Sequence, residues 1–142
     1  MTLALPDVNV LLALVAEHHE HHAAAHRWFR DVESWASTPF TEAGLIRLIL
    51  NPVVVGESHD AGLAIRILEQ LRRQGDHRFL PDASSLTDTT IDLAALVGHR
   101  QVTDSHLVNL AASHDAVLAT FDARLRASLA PADQRWVSVI PV

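Results

Sequence analysis

Two polar side chains interrupt the apolar segment at the start of the chain. Of the 13 residues from Leu3 to Val15, 11 are apolar or proline, and the two exceptions are Asp7 and Asn9. A charge that is buried without a partner destabilises a folded protein by several kcal/mol. Asp7 therefore needs a compensating group, such as a cation, and Asn9 is near enough in sequence to orient its carboxylate through a hydrogen bond.

Glu42 lies on the apolar face of a predicted helix. Together with Leu45, Ile46 and Ile49 it follows the i, i+3, i+4, i+7 spacing of a single helix face. This spacing predicts that the Glu42 carboxylate points into the protein. The alternative is a glutamate at the rim of the apolar stripe, with its carboxylate reaching water.

Two further aspartates lie where predicted elements begin or end. Asp122 follows the apolar run 116–121, which suits a buried strand, just as Asp7 follows a predicted first strand. Because ligands bind at the carboxyl ends of parallel strands, we expect these two carboxylates to share one edge of the sheet. Asp104 follows Thr103, the predicted N-cap of a helix, where the helix dipole favours a negative charge. The alternative interpretation of Asp104 is an ordinary acid of the first helical turn.

Four carboxylates gathered at one edge would repel one another and raise their pKa values. A divalent cation removes this conflict. Mg²⁺ and Mn²⁺ prefer oxygen ligands and keep bound waters that can be activated. The sequence therefore predicts a magnesium site, in which manganese can substitute, formed by Asp7, Glu42, Asp104 and Asp122.

The predicted elements alternate between strands and helices. Strands are expected at 3–6, 35–37, 78–81, 116–121 and 136–142. Helices are expected at 7–16, at 20–33, from Thr38 to the residue before Pro52, from Ser58 to Gly75, at 86–97 and after Thr103; residues 51–58 are expected to form a loop. This order predicts a single α/β domain over residues 1–142, with a mostly parallel sheet covered by helices on both faces.

Composition limits the possible functions. The chain has no cysteine, which excludes disulfides, thiolate metal sites and cysteine nucleophiles. Its net charge is −6, which is not typical of a nucleic-acid-binding protein. The apolar N-terminal segment is too short for a membrane span and lacks a basic leader. We therefore expect a cytoplasmic protein that does not enter a membrane.

A histidine cluster occupies residues 17–26. His18, His22 and His26 recur at i, i+4 and i+8, and two histidines at this spacing can hold a metal ion. No obvious ligand from another element completes such a site. We interpret the cluster as the polar, partly exposed start of a helix, whose function is open.

Four sequence blocks carry a family resemblance. In chain order, LPDVNVLLAL, PFTEAGLIRLILNP, GHRQVTDSHLVNLA and AVLATFD resemble a PIN-domain ribonuclease, and more narrowly the VapC-type toxins of bacterial toxin–antitoxin pairs. The resemblance implies that Asp7, Glu42, Asp104 and Asp122 form the acidic catalytic quartet. It also implies that Thr120 is the small polar residue often found before the last acid, and that the fold is a PIN-like α/β/α sandwich.

The activity implied by this resemblance is metal-assisted hydrolysis of RNA phosphodiester bonds, with inhibition of translation and growth. Asp7 and Asp104 are the first choice as metal ligands, Asp122 is the next, and Glu42 would act through water or on a second ion. Arg100 and Arg124 are the best placed arginines to reach a phosphate. The implied partners are a VapB-type antitoxin, a transfer RNA or ribosomal RNA loop as substrate, and a second copy of the chain.

Two other functions compete with this interpretation. The acids could hold a structural cation in a non-catalytic PIN module that only binds RNA or protein. A phosphatase of the haloacid-dehalogenase type also places an aspartate after its first strand, but it needs a D-x-D motif and a lysine. The chain has D-V-N at this place and no lysine, so this alternative is weak.

Overall fold

The computed structural model describes residues 2–142, apart from the side chain of Ala95. It contains five strands and seven α-helices within these residues. The strands are β1 (Leu3–Pro6), β2 (Ser34–Ser37), β3 (Asp76–Phe79), β4 (Ala116–Thr120) and β5 (Val137–Val139). The helices are α1 (Val8–Val15), α2 (His22–Asp31), α3 (Pro39–Ile49), α4 (Pro52–Val55), α5 (Ala61–Arg72), α6 (Val102–Ser113) and α7 (Ala123–Ser128).

The five strands form one sheet in the order β3-β2-β1-β4-β5. All four neighbouring pairs are parallel, so the predicted parallel sheet is confirmed. The first strand lies at the centre, and its pairing with β4 aligns Leu3 with Ala116 and Pro6 with Ala119. The carboxyl ends of β1 and β4 are therefore neighbours, and the residues that follow each strand meet at the same edge.

Two apolar clusters cover the two faces of the sheet. One is built around α6, where Leu107, Val108 and Leu110 are buried together with Leu118 of β4. The other joins α1, α3 and α5 over the opposite face, around the buried Trp35. This arrangement is the predicted α/β/α sandwich. Within residues 2–142, no helix is long and apolar enough to cross a membrane.

Local capping explains where the helices begin. Thr38 and Thr41 form a reciprocal capping box at the start of α3, and Pro39 occupies the first helical position, as the sequence predicted. The N-cap of α5 is Asp60, whose carboxylate accepts from the Leu63 N–H at 2.7 Å. The predicted cap, Ser58, lies two residues too early.

Several predicted element bounds are wrong. The expected loop 51–58 contains the short α4, which ends at Gly56 in the left-handed conformation at φ 82°. The expected helix over 86–97 is absent from the described backbone, where Asp88 forms an isolated bridge with Ser85 and a 3₁₀ turn covers Leu93–Ala95. Thr103 does not cap α6, because a 3₁₀ turn at His99–Gln101 leads directly into the helix. The short α7 was not predicted.

Candidate active site

A polar cavity of about 440 Å³ opens at the carboxyl edge of the sheet. Three of the four predicted acids line it, from three different elements: Asp7 after β1, Asp104 in the first turn of α6 and Asp122 after β4. The remaining lining residues are Asn9, His19, Glu20, His21, Thr120, Phe121 and Arg124. The fold therefore brings together carboxylates that are far apart in sequence.

Asp7 is buried, with 9% of its surface exposed. It is also the N-cap of α1, since its carboxylate accepts from the Val10 N–H at 2.9 Å. Burial raises the pKa of Asp7, and the nearby Asp104 raises it further, whereas donors from Thr120, Val10 and the backbone of Asn9 counteract the shift. The net effect is a pKa above the ordinary value of 3.8. The contact from Asn9 comes from its backbone N–H, and Asn9 is among the residues that line the cavity.

Thr120 connects two of the acids. Its buried hydroxyl donates to the Asp7 carboxylate and accepts from the Asp122 N–H at 3.1 Å. A valine of the same shape would supply neither bond. Thr120 therefore fixes the carboxylate of Asp7 and the backbone of Asp122 relative to each other.

Asp104 and Asp122 influence each other electrostatically. Burial raises the pKa of Asp104, and the charge of Asp122 adds to this effect. Asp122 is about half exposed and caps α7, where its carboxylate accepts from the Arg124 N–H at 2.9 Å. The Arg124 guanidinium lies 3.8 Å from the same carboxylate, and its side chain is 97% exposed. The three carboxylates thus share a cavity in which burial and a neighbouring acid disfavour ionisation of Asp7 and Asp104.

Glu42 does not line this cavity. It points inward as its spacing predicted, with its side chain 15% exposed, but it has partners of its own. Its carboxylate accepts from the Ser37 hydroxyl at 2.5 Å and lies 3.5 Å from the Arg72 guanidinium. Ser37 also contacts the His77 ring nitrogen at 2.7 Å. The fourth acid is therefore already compensated inside the protein.

The remaining predicted site residues lie in different environments. Arg124 lines the cavity, whereas Arg100 is exposed on the 3₁₀ turn before α6 and does not line it. Thr103 is exposed in the first turn of α6. Of the two arginines expected to reach a phosphate, the structure places only Arg124 at the acidic cavity.

The histidine cluster divides into two groups. His22 and His26 donate through their rings to the carbonyls of Ala13 and Leu14, at 2.7 and 2.8 Å. These carbonyls belong to the last turn of α1, where no helical partner is available. His18 precedes α2, so the three histidines do not form one helix face as predicted.

His19 and His21 were not predicted as site residues, yet they line the acidic cavity with Glu20. Burial lowers the pKa of His19, and the neighbouring His21 adds to the shift. The sequence shows these histidines clearly. It does not show that the chain turns between Ala16 and His21, and this turn is what places them at the cavity.

Replacing Thr120 by valine tests the connection between the acids. We expect Thr120→Val to lower the free energy of unfolding by about 1–3 kcal/mol, because a buried carboxylate loses one of its donors and a backbone N–H loses its acceptor. The matched control is Thr103→Val, an exposed site where we expect a change within about 0.5 kcal/mol. Urea unfolding of both variants measures the difference. Equal effects at the two positions would contradict the bridging assignment.

Comparison with known proteins identifies the family. A family model described as the PIN domain matches residues 4–128. Ribonuclease VapC38 of Mycobacterium tuberculosis is 46% identical over 123 residues, covering 85% of this chain and 86% of that protein. Ribonuclease VapC39 of the same organism is 46% identical over 125 residues, covering 86% of this chain and 90% of that protein.

A solved structure agrees with this relationship at the level of the fold. PAE2754 from Pyrobaculum aerophilum matches with a TM-score of 0.58 and 22% identity, over 90% of this chain and 80% of that chain. The family match covers the three cavity acids and Glu42. The chain therefore belongs to the PIN-domain family and is a VapC-type member of it.

Proposed function

We propose that this protein is a metal-dependent endoribonuclease and the toxin of a type II toxin–antitoxin pair, which hydrolyses RNA phosphodiester bonds and thereby inhibits translation and growth. The observation that carries the proposal is the cavity shared by Asp7, Asp104 and Asp122, in which burial and mutual repulsion raise the pKa values of the first two. Relatives 46% identical to this chain are named ribonucleases, and this supports RNA as the substrate.

The residues at the cavity fit a hydrated divalent cation. Oxygen donors from carboxylates are the ligands that Mg²⁺ prefers, and Mn²⁺ accepts the same set. Within residues 2–142, no three histidine, aspartate or glutamate side chains lie close enough together to hold a metal ion as a set, as a closed cage would require. Mg²⁺ does not need such a cage, because proteins usually hold it through one or two carboxylates, with water and substrate phosphate completing its shell.

Each residue of the cavity has a distinct part in this mechanism. Asp7 and Asp104 would hold the cation, Asp122 would reach it through a bound water, and Thr120 fixes the orientation of Asp7. When bound, the cation supplies an activated water and neutralises the charge that develops on the phosphate. Arg124 contributes positive charge at the rim. Glu42, held by Ser37 and Arg72, acts from outside the first coordination shell.

The proposed partners follow from the same family. The relatives named VapC support a VapB-type antitoxin as the regulator of this protein. A homodimer with a second copy of the chain is part of the same proposal. A transfer RNA or ribosomal RNA loop is the proposed substrate. Single-stranded loops suit a nuclease of this kind, because their bases and backbone are accessible.

The deciding experiment measures cleavage of bulk tRNA and rRNA by the purified protein with Mg²⁺, with Mn²⁺ and with EDTA. We expect defined fragments with 5′-phosphate and 3′-hydroxyl ends in either metal, and no cleavage in EDTA. Mapping 5′ ends of cellular RNA after brief induction then identifies the cleaved site. RNA binding without cleavage in any metal would instead support the non-catalytic module with a structural cation.

A further inference from the structure

One wall of the acidic cavity is a turn with no carboxylate of the predicted quartet. It consists of His19, Glu20 and His21, between α1 and α2, and it faces the cavity together with Phe121. We propose that this turn and Phe121 form the surface that binds the RNA substrate, with His19 donating a hydrogen bond to the RNA and His21 with Phe121 stacking against a base. This inference rests on the proposed ribonuclease function and names the residues that position its substrate.

The hydrogen bonding of His19 defines which ring nitrogen carries its proton. The Nδ1 atom of His19 accepts from the His21 N–H at 3.0 Å. A nitrogen that accepts a hydrogen bond holds no proton, so the proton of the neutral ring is on Nε2. His19 therefore offers an N–H donor at Nε2, while its other nitrogen holds the turn together.

Aromatic rings are grouped at the same wall. The ring centroids of His21 and Phe121 lie 4.7 Å apart at an angle of 44°, and those of His19 and His21 lie 5.7 Å apart. The side chain of His21 keeps 28% of its surface exposed. Proteins that bind single-stranded RNA commonly stack bases on such partly exposed rings.

The cavity offers RNA few attractive contacts, so a hydrogen-bond donor without negative charge helps to bind it there. Three carboxylates on one side repel the phosphates of an incoming RNA. Among the described residues that line the cavity, Arg124 is the only arginine, and it is shared with Asp122. Glu20 adds a fourth acid, but its side chain is 80% exposed and lies 3.4 Å from His21. The histidines supply polar contacts at this place without adding negative charge.

Two substitutions of His19 separate its donor from its acceptor. In His19→Asn the side-chain oxygen can still accept from the His21 N–H, but no group reaches the position of Nε2. In His19→Gln the longer side chain restores a donor near that position. We expect the apparent KM for bulk tRNA and rRNA to rise about tenfold in His19→Asn, while kcat stays within about twofold of the wild-type value. In His19→Gln the apparent KM should rise about threefold or less.

A third variant tests the stacking surface, and a fourth serves as a control. Phe121→Leu keeps an apolar side chain but removes the ring, and we expect RNA binding to weaken about tenfold. His18→Asn changes an exposed histidine of the same segment that does not line this cavity. We expect its RNA binding to match that of the protein with His18. Binding is measured by fluorescence anisotropy with 3′-labelled bulk tRNA and fragmented rRNA, in the Asp7→Asn background so that the probe stays intact.

The outcomes distinguish this inference from the proposed function. If the wild type cleaves RNA and both His19→Asn and Phe121→Leu bind it normally, the ribonuclease proposal stands and the RNA-binding wall is wrong. Equal losses in the two His19 variants, or a lowered melting temperature in both, would show a structural role and overturn the donor assignment. Weakened antitoxin binding with normal RNA binding would assign the wall to the antitoxin instead. If the wild type neither binds nor cleaves RNA, the proposed function itself fails.

Discussion

Asp7→Asn is expected to lower the rate of RNA cleavage by about 100-fold or more while leaving the protein folded. The loss follows from the position of Asp7, which is buried at the cavity beside Asp104 and Asp122. An asparagine has one neutral oxygen where the aspartate has a charged carboxylate, so it is a much weaker ligand for Mg²⁺. Cleavage at the wild-type rate in saturating Mg²⁺ would exclude Asp7 from the mechanism.

The same substitution is expected to leave stability unchanged or to raise it. Asp7 caps α1, and asparagine caps helices as well as aspartate does. The pKa of Asp7 is raised in the folded state above its ordinary value of 3.8, so the folded protein binds this proton more tightly than the unfolded chain. The stabilising contribution of that proton is present below pH 3.8 and is lost as the pH rises through the raised pKa.

This sign gives a measurable pH profile. Without added metal, the melting temperature of Asp7→Asn should exceed that of the wild type at pH 7, and the difference should shrink as the pH falls toward 4. Added Mg²⁺ should raise the melting temperature of the wild type more than that of the variant. Asp7→Ala provides the control, because it also loses the helix cap, at a cost of about 1 kcal/mol. If the difference in melting temperature between the wild type and Asp7→Asn widened toward low pH, the raised pKa of Asp7 would be contradicted.

Asp104→Asn and Glu42→Gln are expected to differ sharply in metal affinity. Asp104 faces the other two aspartates across the cavity, so its loss should weaken Mn²⁺ binding by about 10-fold to 100-fold. Glu42 lies outside the cavity, against Ser37 and Arg72, so Glu42→Gln should change Mn²⁺ affinity by about threefold or less. Its activity should still fall, because the contact with Arg72 is disturbed.

Isothermal titration with Mn²⁺ compares the two variants directly. Arg72→Gln is a useful companion, because it removes the cation next to Glu42 while leaving every cavity acid in place. Its Mn²⁺ affinity should match the wild type within about twofold, since Arg72 is not among the residues lining the cavity. A loss of affinity in Glu42→Gln equal to that in Asp104→Asn would make Glu42 a direct ligand.

The centre of the sheet could be predicted because β4 carries a strong local signal, whereas the bounds of the edge strands β3 and β5 were wrong. The run 116–121 is apolar apart from Thr120, and β4 is buried as a central parallel strand should be. The capping sequence at Thr38 and Pro39 likewise predicted the start of α3. The inward direction of Glu42 followed from helical spacing alone, but its partners Ser37 and Arg72 come from elements that only the tertiary fold brings together.

Two of the wrong predictions concern places where the neighbouring structure overrides a residue-type or spacing signal. Thr103 is a good capping residue by type, yet the 3₁₀ turn before α6 moves the helix start to Val102. The spacing of His18, His22 and His26 suggests one helix face, but the last-turn carbonyls of α1 recruit only His22 and His26. A spacing pattern does not reveal which acceptors lie opposite it.

The pairing of β1 with β4 has a consequence for how the protein is made. β1 is synthesised well before its partner β4, which begins at Ala116, so the centre of the sheet stays incomplete until synthesis has passed β4. Contacts between residues so distant in sequence form slowly, since a long loop must close first. Asp122 arrives at the cavity only with that strand. A nascent chain therefore cannot bring its three cavity aspartates together before the segment that follows β4 has been synthesised and β4 has paired with β1.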